Sequence, residues 1–115
     1  MGPYVLFAFN GEAVCFLHVL LNALDLASEG ATVSVVIEGA ATGLLPAYAE
    51  GAGTGQHLFD KALAGGLVDC ACRACAEKMG GTAAAEKLGI LLKGEMAGHP
   101  AMSEYLAAGY TVITF

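Results

Sequence analysis

The sequence predicts an α/β protein, a three-layer α/β/α sandwich built on a mainly parallel sheet. Two observations carry this. Short runs such as Tyr4–Phe9, Thr32–Ile37 and Tyr110–Phe115 are apolar or β-branched along their length, the pattern of strands buried on both faces. Between successive runs lie segments with helical spacing, and strand–helix alternation implies parallel strands covered by helices. With 115 residues, the chain fits one domain spanning residues 1–115.

Pro3 to Phe9 reads as a buried first strand that ends in the turn Asn10-Gly11. Ala13 to Glu29 reads as a helix. Its polar positions His18, Asn22, Asp25 and Glu29 recur every three or four residues and make one narrow stripe. The rest of that helix is almost wholly apolar, so cover from more than one side is expected. Gly30 suits its C-terminal cap. Thr32 to Ile37 is the second strand, with Glu38-Gly39 at its end. Ala40 to Leu45 reads as a short helix stopped by Pro46. Glu50 to Gly55 is a glycine-rich loop without phosphate-loop spacing.

Gln56 to Ala64 is the next helix, Leu67 to Ala71 the third strand and Cys72 to Met79 a further helix. Thr82 is the expected N-cap of the helix Ala83 to Leu88. Gly89 to Ala97 has room for a fourth short strand. Pro100 to Ala108 is a helix, and Tyr110 to Phe115 the last strand. In parallel sheets, sites form at the C-terminal ends of strands. Asn10-Gly11-Glu12, Glu38-Gly39 and Cys70 to Cys75 should therefore gather at one end of the sheet.

Composition narrows the partners. The net charge is −6, which argues against nucleic acid because phosphate binding needs a basic face. Four of the five basic residues, Arg73, Lys78, Lys87 and Lys93, lie within or after the cysteine cluster. Apolar residues make up 57% of the chain, a high share for a small monomer, and suggest burial between subunits. Ala13 to Leu24, the longest uncharged apolar segment, is too short to span a bilayer. The N-terminus lacks the basic start of a secretory signal. The expectation is a cytoplasmic protein with no membrane partner. In that compartment clustered cysteines are more often redox, catalytic or metal-binding groups than structural disulfides.

Three of the four cysteines, Cys70, Cys72 and Cys75, fall within six positions. Cys72 stands where a strand hands over to a helix. Free N–H groups at the helix start and the adjacent Arg73 both favour its thiolate. Cys75 lies three residues on and shares the helix face of position 72, at the Cys-x-x-Cys spacing of dithiol motifs. Cys70 is two residues back, on the same sheet face as position 72, and is expected to be partly buried. The functional reading makes Cys72 the nucleophile, with Cys75 resolving or assisting. Packing of small thiols in a tight corner is the plainer account, and three thiols in six residues speak against it.

A second reading assigns Cys70, Cys72 and Cys75 as soft ligands for zinc or an iron–sulfur cluster. It lacks a fourth ligand nearby in sequence, and the strand-to-helix geometry splays Cys70 away from Cys75. A third reading is a non-enzymatic oligomeric binding module. Cys15 is expected in the core, and His18 and His57 at the surface. His99 precedes Pro100 in a turn, from which it can approach the thiols, although no spacing ties any histidine to Cys72.

The order of elements, the segment Val35-Val-Ile-Glu-Gly-Ala40, the corner Ala71-Cys-Arg-Ala-Cys-Ala-Glu-Lys-Met-Gly80 and the ending Gly109-Tyr-Thr-Val-Ile-Thr-Phe115 together resemble the DsrE/DsrF-like (DsrEFH-like) family of small sulfur-relay proteins. The resemblance covers nearly the whole chain. It implies a five-stranded α/β/α fold and a homotrimer or homohexamer that exchanges sulfur with other sulfur-carrier proteins. It also implies that Cys72 accepts sulfane sulfur as a persulfide. Cys70 is additional to that family's pattern. Attack of a thiolate on sulfur needs no cofactor.

Overall fold

A computed structural model describes all residues, 1–115. Five strands form one sheet: β1 (Tyr4–Ala8), β2 (Val33–Ile37), β3 (Val68–Cys72), β4 (Leu92–Lys93) and β5 (Thr111–Thr114). Their order is β4-β3-β2-β1-β5, and every pairing is parallel. Six helices accompany them: α1 (Ala13–Ser28), α2 (Leu45–Ala49), α3 (Gln56–Ala64), α4 (Arg73–Met79), α5 (Thr82–Leu88) and α6 (Met102–Ala107). The predicted three-layer α/β/α class is the one observed.

The strand order explains the layers. The chain steps from β1 to β4 in one direction across the sheet, then returns past β1 to place β5. Parallel crossovers are right-handed, so reversing the direction of travel moves the connecting helix to the opposite face. The larger core follows from the forward steps. Leu6, Ala8, Val35, Ile37 and Ala71 point into it, against Phe16, Val19 and Leu20 of α1, Tyr48 of α2, Phe59 of α3 and Ala85 of α5. Tyr48 and Phe59 stack there with ring centroids 4.2 Å apart. The return step leaves α6 alone on the other face. Its Tyr105 closes a smaller core with Val5, Phe7, Val36 and Cys70.

The period-2 alternation of the strands divides residues between these two cores, which is why each strand reads as continuously apolar. In α1 the helical period buries Phe16, Val19, Leu20 and Ala23. The sheet and α3 cover α1 on two sides, as expected, and a further side stays open, with Val14 62% and Leu21 45% exposed.

Two local expectations are corrected. Pro46 does not stop a helix. Gly39–Leu44 is a 3-10 turn, and Pro46 stands in the first turn of α2, where a missing N–H costs nothing. Thr82 is not an N-cap. It is the first residue of α5, Gly81 precedes it, and its hydroxyl makes no hydrogen bond. Gly81 fits a close approach there that a Cβ would block, against the carbonyl of Thr42. The fourth strand, placed between Gly89 and Ala97, shrinks to Leu92–Lys93. The remaining elements lie within about two residues of expectation.

A polar clamp holds α6 to the sheet. Tyr105 donates its hydroxyl to the Asp69 carboxylate, and lies 3.5 Å from the Cys70 sulfur. Lys93 reaches Asp69 at 3.6 Å and Glu104 at 3.5 Å. Burial pushes both the Tyr105 hydroxyl and the Cys70 thiol up, Cys70 to about 11, so both stay protonated at neutral pH.

Candidate functional site: a Cys-x-x-Cys corner facing His99 and Glu38

The site starts from register. Val36 pairs with Cys70 and Ile37 with Ala71, so one further step sets Glu38 beside Cys72. Both strands end at this point. The β2 chain turns at Gly39, whose φ of +53° is a left-handed conformation open to glycine. The β3 chain becomes α4. Cys72 is the N-cap of α4, with extended backbone, and its sulfur accepts a hydrogen bond from the Cys75 N–H at 3.2 Å. A sulfur here does what a capping oxygen does elsewhere. The N–H of Ala74 is taken up by the Gly98 carbonyl at 2.9 Å.

Cys72 and Cys75 are joined as a disulfide, with Cα atoms 5.2 Å apart, while Cys15 and Cys70 are free. The turn 94–99 delivers the third component. Met96 and His99 exchange two backbone hydrogen bonds, at 2.9 and 3.0 Å. Ala97 and Gly98 both take positive φ, +51° and +95°. A Cβ at Gly98 would sit 2.9 Å from the Ala74 Cβ, so the absence of a side chain lets this turn lie against α4. His99 Nδ1 thereby comes 3.1 Å from Cys72 Sγ, 3.5 Å from Cys75 Sγ and 3.9 Å from Glu38 Oε1.

Burial grades the group. Cys72 is fully buried, Cys75 half-buried, the Glu38 side chain 8% and the His99 side chain 44% exposed. Burial raises the Glu38 carboxyl above the ordinary range, opposed in part by His99. An open cleft of about 450 Å³ leads to the group, and Cys75, His99, Lys78, Met79 and Gly39 line it. Cys75 is the sulfur that faces the cleft, and Cys72 lies behind it.

The other predicted residues have different places. Cys70 lies on the same sheet face as Cys72, as its spacing implies, but beneath α6 and against Tyr105. It does not join the group of donors formed by Glu38, Cys72, Cys75 and His99. Arg73 is exposed and donates to the Gly94 carbonyl at 3.4 Å. It ties down the 94–99 turn and makes no bond to a sulfur. Asn10 accepts the Glu12 N–H at 2.8 Å and shapes the entry to α1. Its loop does approach the second strand's end, since a Cβ at Gly11 would meet the Ala40 Cβ at 2.9 Å. His18 and His57 are exposed, as expected. His99 is the residue that sequence reasoning undervalued. Its only signal was a histidine in a Gly-His-Pro turn just before the last helix.

No protein-family model matches the chain. A solved structure of a conserved protein of unknown function from Bacteroides thetaiotaomicron has the same fold. It superposes with a TM-score of 0.65 at 19% identity, over 97% of this chain and 94% of that one. No helix is long and apolar enough to cross a membrane. An uncharacterized protein of Archaeoglobus fulgidus is 36% identical over 52 residues, which are 45% of this chain and 85% of that protein. This chain and that short archaeal protein belong to one family.

Proposed function

We propose that the protein is a sulfur carrier of the DsrE/DsrF-like kind, which moves sulfane sulfur on the Cys72–Cys75 pair between partner thiols. The observation that carries this is the pairing of an accessible sulfur with a buried one beside an open cleft. Cys75 faces the cleft, and Cys72 sits behind it, held by the Cys75 N–H and beside His99.

In the reduced protein the Cys75 thiolate attacks the outer sulfur of a donor persulfide. A Cys75 persulfide forms, and the donor leaves as its thiolate. An acceptor thiolate then attacks that outer sulfur, and Cys75 leaves in turn. Cys72 offers a second exit. Its thiolate can attack the inner Cys75 sulfur, which expels hydrosulfide and leaves the Cys72–Cys75 disulfide. A dithiol from a partner must then reduce that bond. The N–H of Cys75 and the His99 imidazole both stabilise negative charge on Cys72, the attacking group in that step and the leaving group when the disulfide is reduced.

This assignment exchanges the roles that the sequence suggested for the two thiols, on the ground of access. The exposed Met79 and Met96 beside the cleft and in the His99 turn suit docking of another protein. A cytoplasmic location and self-assembly into a trimer or hexamer belong to the same reading.

Mass spectrometry after incubation with a persulfide donor tests the reading on reduced, chelator-treated protein. Wild type gains ~32 Da, and Cys75→Ser does not. Cys72→Ser retains the added sulfur longer, because the internal exit is gone. Equal loading of Cys75→Ser and wild type would sink the assignment.

A further inference from the structure

We propose that the reduced Cys72–Cys75 pair, with His99 Nδ1 and Glu38, is a four-donor binding site for a zinc-class divalent cation. This goes beyond sulfur transfer and concerns the same thiols in a different state.

Geometry comes first. One donor atom from each of the four residues lies within 4.8 Å of all the others. A tetrahedral zinc centre with ~2.3 Å bonds to sulfur and ~2.0–2.1 Å bonds to nitrogen and oxygen has donor–donor edges of roughly 3.3–3.8 Å. The edges around His99 Nδ1 are 3.1 Å to Cys72 Sγ, 3.5 Å to Cys75 Sγ and 3.9 Å to Glu38 Oε1. They bracket that range, so the three edges at His99 need shifts of only a few tenths of an ångström. Breaking the disulfide frees the two sulfurs to move apart to thiolate spacing.

Chemistry points the same way. Two thiolates, an imidazole and a carboxylate are the donor types of borderline-soft Zn²⁺, while an all-oxygen cation such as Mg²⁺ or Ca²⁺ is disfavoured. The Glu38 side chain is only 8% exposed, and the basic group within 4 Å of it is the His99 imidazole, at 3.9 Å. A buried carboxylate beside two sulfurs needs a positive partner. One imidazole serves all three, and a dication would serve them better. On binding, Zn²⁺ takes the places of the two thiol protons, which pass to solvent. The cleft at Cys75 and His99 supplies the entry path.

The set also differs from the three-cysteine grouping that the sequence offered. Cys70 is replaced by two ligands from elsewhere in the chain, one at the end of β2 and one on the 94–99 turn. Zinc and the disulfide are mutually exclusive on these sulfurs. Metal loading would therefore hold the pair reduced and closed to sulfur chemistry.

Cobalt titration of reduced, chelator-stripped protein without oxygen tests the site. The expected result is one equivalent bound, with thiolate-to-cobalt charge transfer and the visible bands of tetrahedral cobalt, displaced by Zn²⁺. The disulfide form gives no such bands. Cys72→Ser and Cys75→Ser each lose the charge-transfer intensity of one thiolate. His99→Ala and Glu38→Gln weaken binding by tenfold or more. Cys70→Ala, outside the donor set, retains the bands and reports that the fold is intact. Absence of the bands in wild type overturns the proposal, as does full affinity in both His99→Ala and Glu38→Gln. Persulfide loading is measured on stripped protein, so failure of either proposal is visible apart from the other.

Discussion

His99 Nδ1 lies 3.1 Å from Cys72 Sγ, across 27 positions of sequence. The imidazole is held by a turn whose own backbone is bonded to α4, through the Ala74 N–H and the Gly98 carbonyl. The partner of the buried sulfur is thus fixed by main chain on both sides.

Accessibility ranks the thiols of the reduced protein. Cys75 lines the cleft, Cys72 is fully buried behind it, and Cys70 is buried beneath α6. Of these three thiols, brief treatment with iodoacetamide at neutral pH should modify Cys75 first and Cys70 only after unfolding. Peptide mass mapping reads the order. Early labelling of Cys70 would contradict the packing described for α6.

Cys70 should also give the fold an alkaline limit. Burial raises its thiol to about 11 from an ordinary 9.0. The unfolded chain loses this proton first, so the contribution is whole below pH 9 and is lost as the pH rises from 9 to about 11. The loss is about 2–3 kcal/mol for a shift of this size. Urea unfolding at pH 8, 9, 10 and 11 measures it. In Cys70→Ala the fall over that interval should be smaller by this amount.

Tyr105→Phe removes the hydroxyl that reaches Asp69 and Cys70. The aromatic packing against Phe7, with centroids 5.6 Å apart, is kept. A net loss of about 1 kcal/mol is expected, visible as a lower urea midpoint with an unchanged slope. A midpoint equal to wild type would mean that the clamp on α6 is carried by Lys93 and its carboxylates alone.

Gly98→Ala should act on stability and site together. The added Cβ meets Ala74 at 2.9 Å, and a φ of +95° is strained for any other residue. A cost of about 1–3 kcal/mol follows. Relief by opening the turn would withdraw His99 from Cys72. Thermal unfolding and the rate of thiol alkylation, read on one sample, both report it. Wild-type values in each would show that the turn does not need glycine.

Exposed Val14 and Leu21 on α1, with Leu106 and Ile113 elsewhere, are 62%, 45%, 57% and 37% accessible. Under the assembly proposed above, sedimentation should give a mass several times 11.6 kDa. Val14→Glu with Leu21→Glu should lower it. A wild-type monomer at micromolar concentration would end that part of the reading.

The layered fold was legible because each of its signals is local. Apolar runs marked the strands, and glycines closed most helices. Parallel topology then implied that Glu38 and Cys72 would meet at one end of the sheet. The sequence could not show which face of the corner each thiol would see. Cys70 and Cys72 share a sheet face by alternation, but α6 covers one and the 94–99 turn covers the other. That turn has no periodicity to read. Its shape rests on positive φ at Ala97 and Gly98, and alanine gives no warning of such a conformation. Pro46 misled for a related reason. Proline both ends and begins helices, and only the path of the chain decides which.

Neighbouring strands in any sheet lie about 4.8 Å apart. Glu38 and Cys72 end adjoining strands, so the lattice of the sheet sets their separation as a fixed ruler. Only the reach of the 94–99 turn remains adjustable, since it hangs outside that lattice. Variation in the length or composition of this one turn would retune the sulfur pair while leaving the frame beneath it untouched.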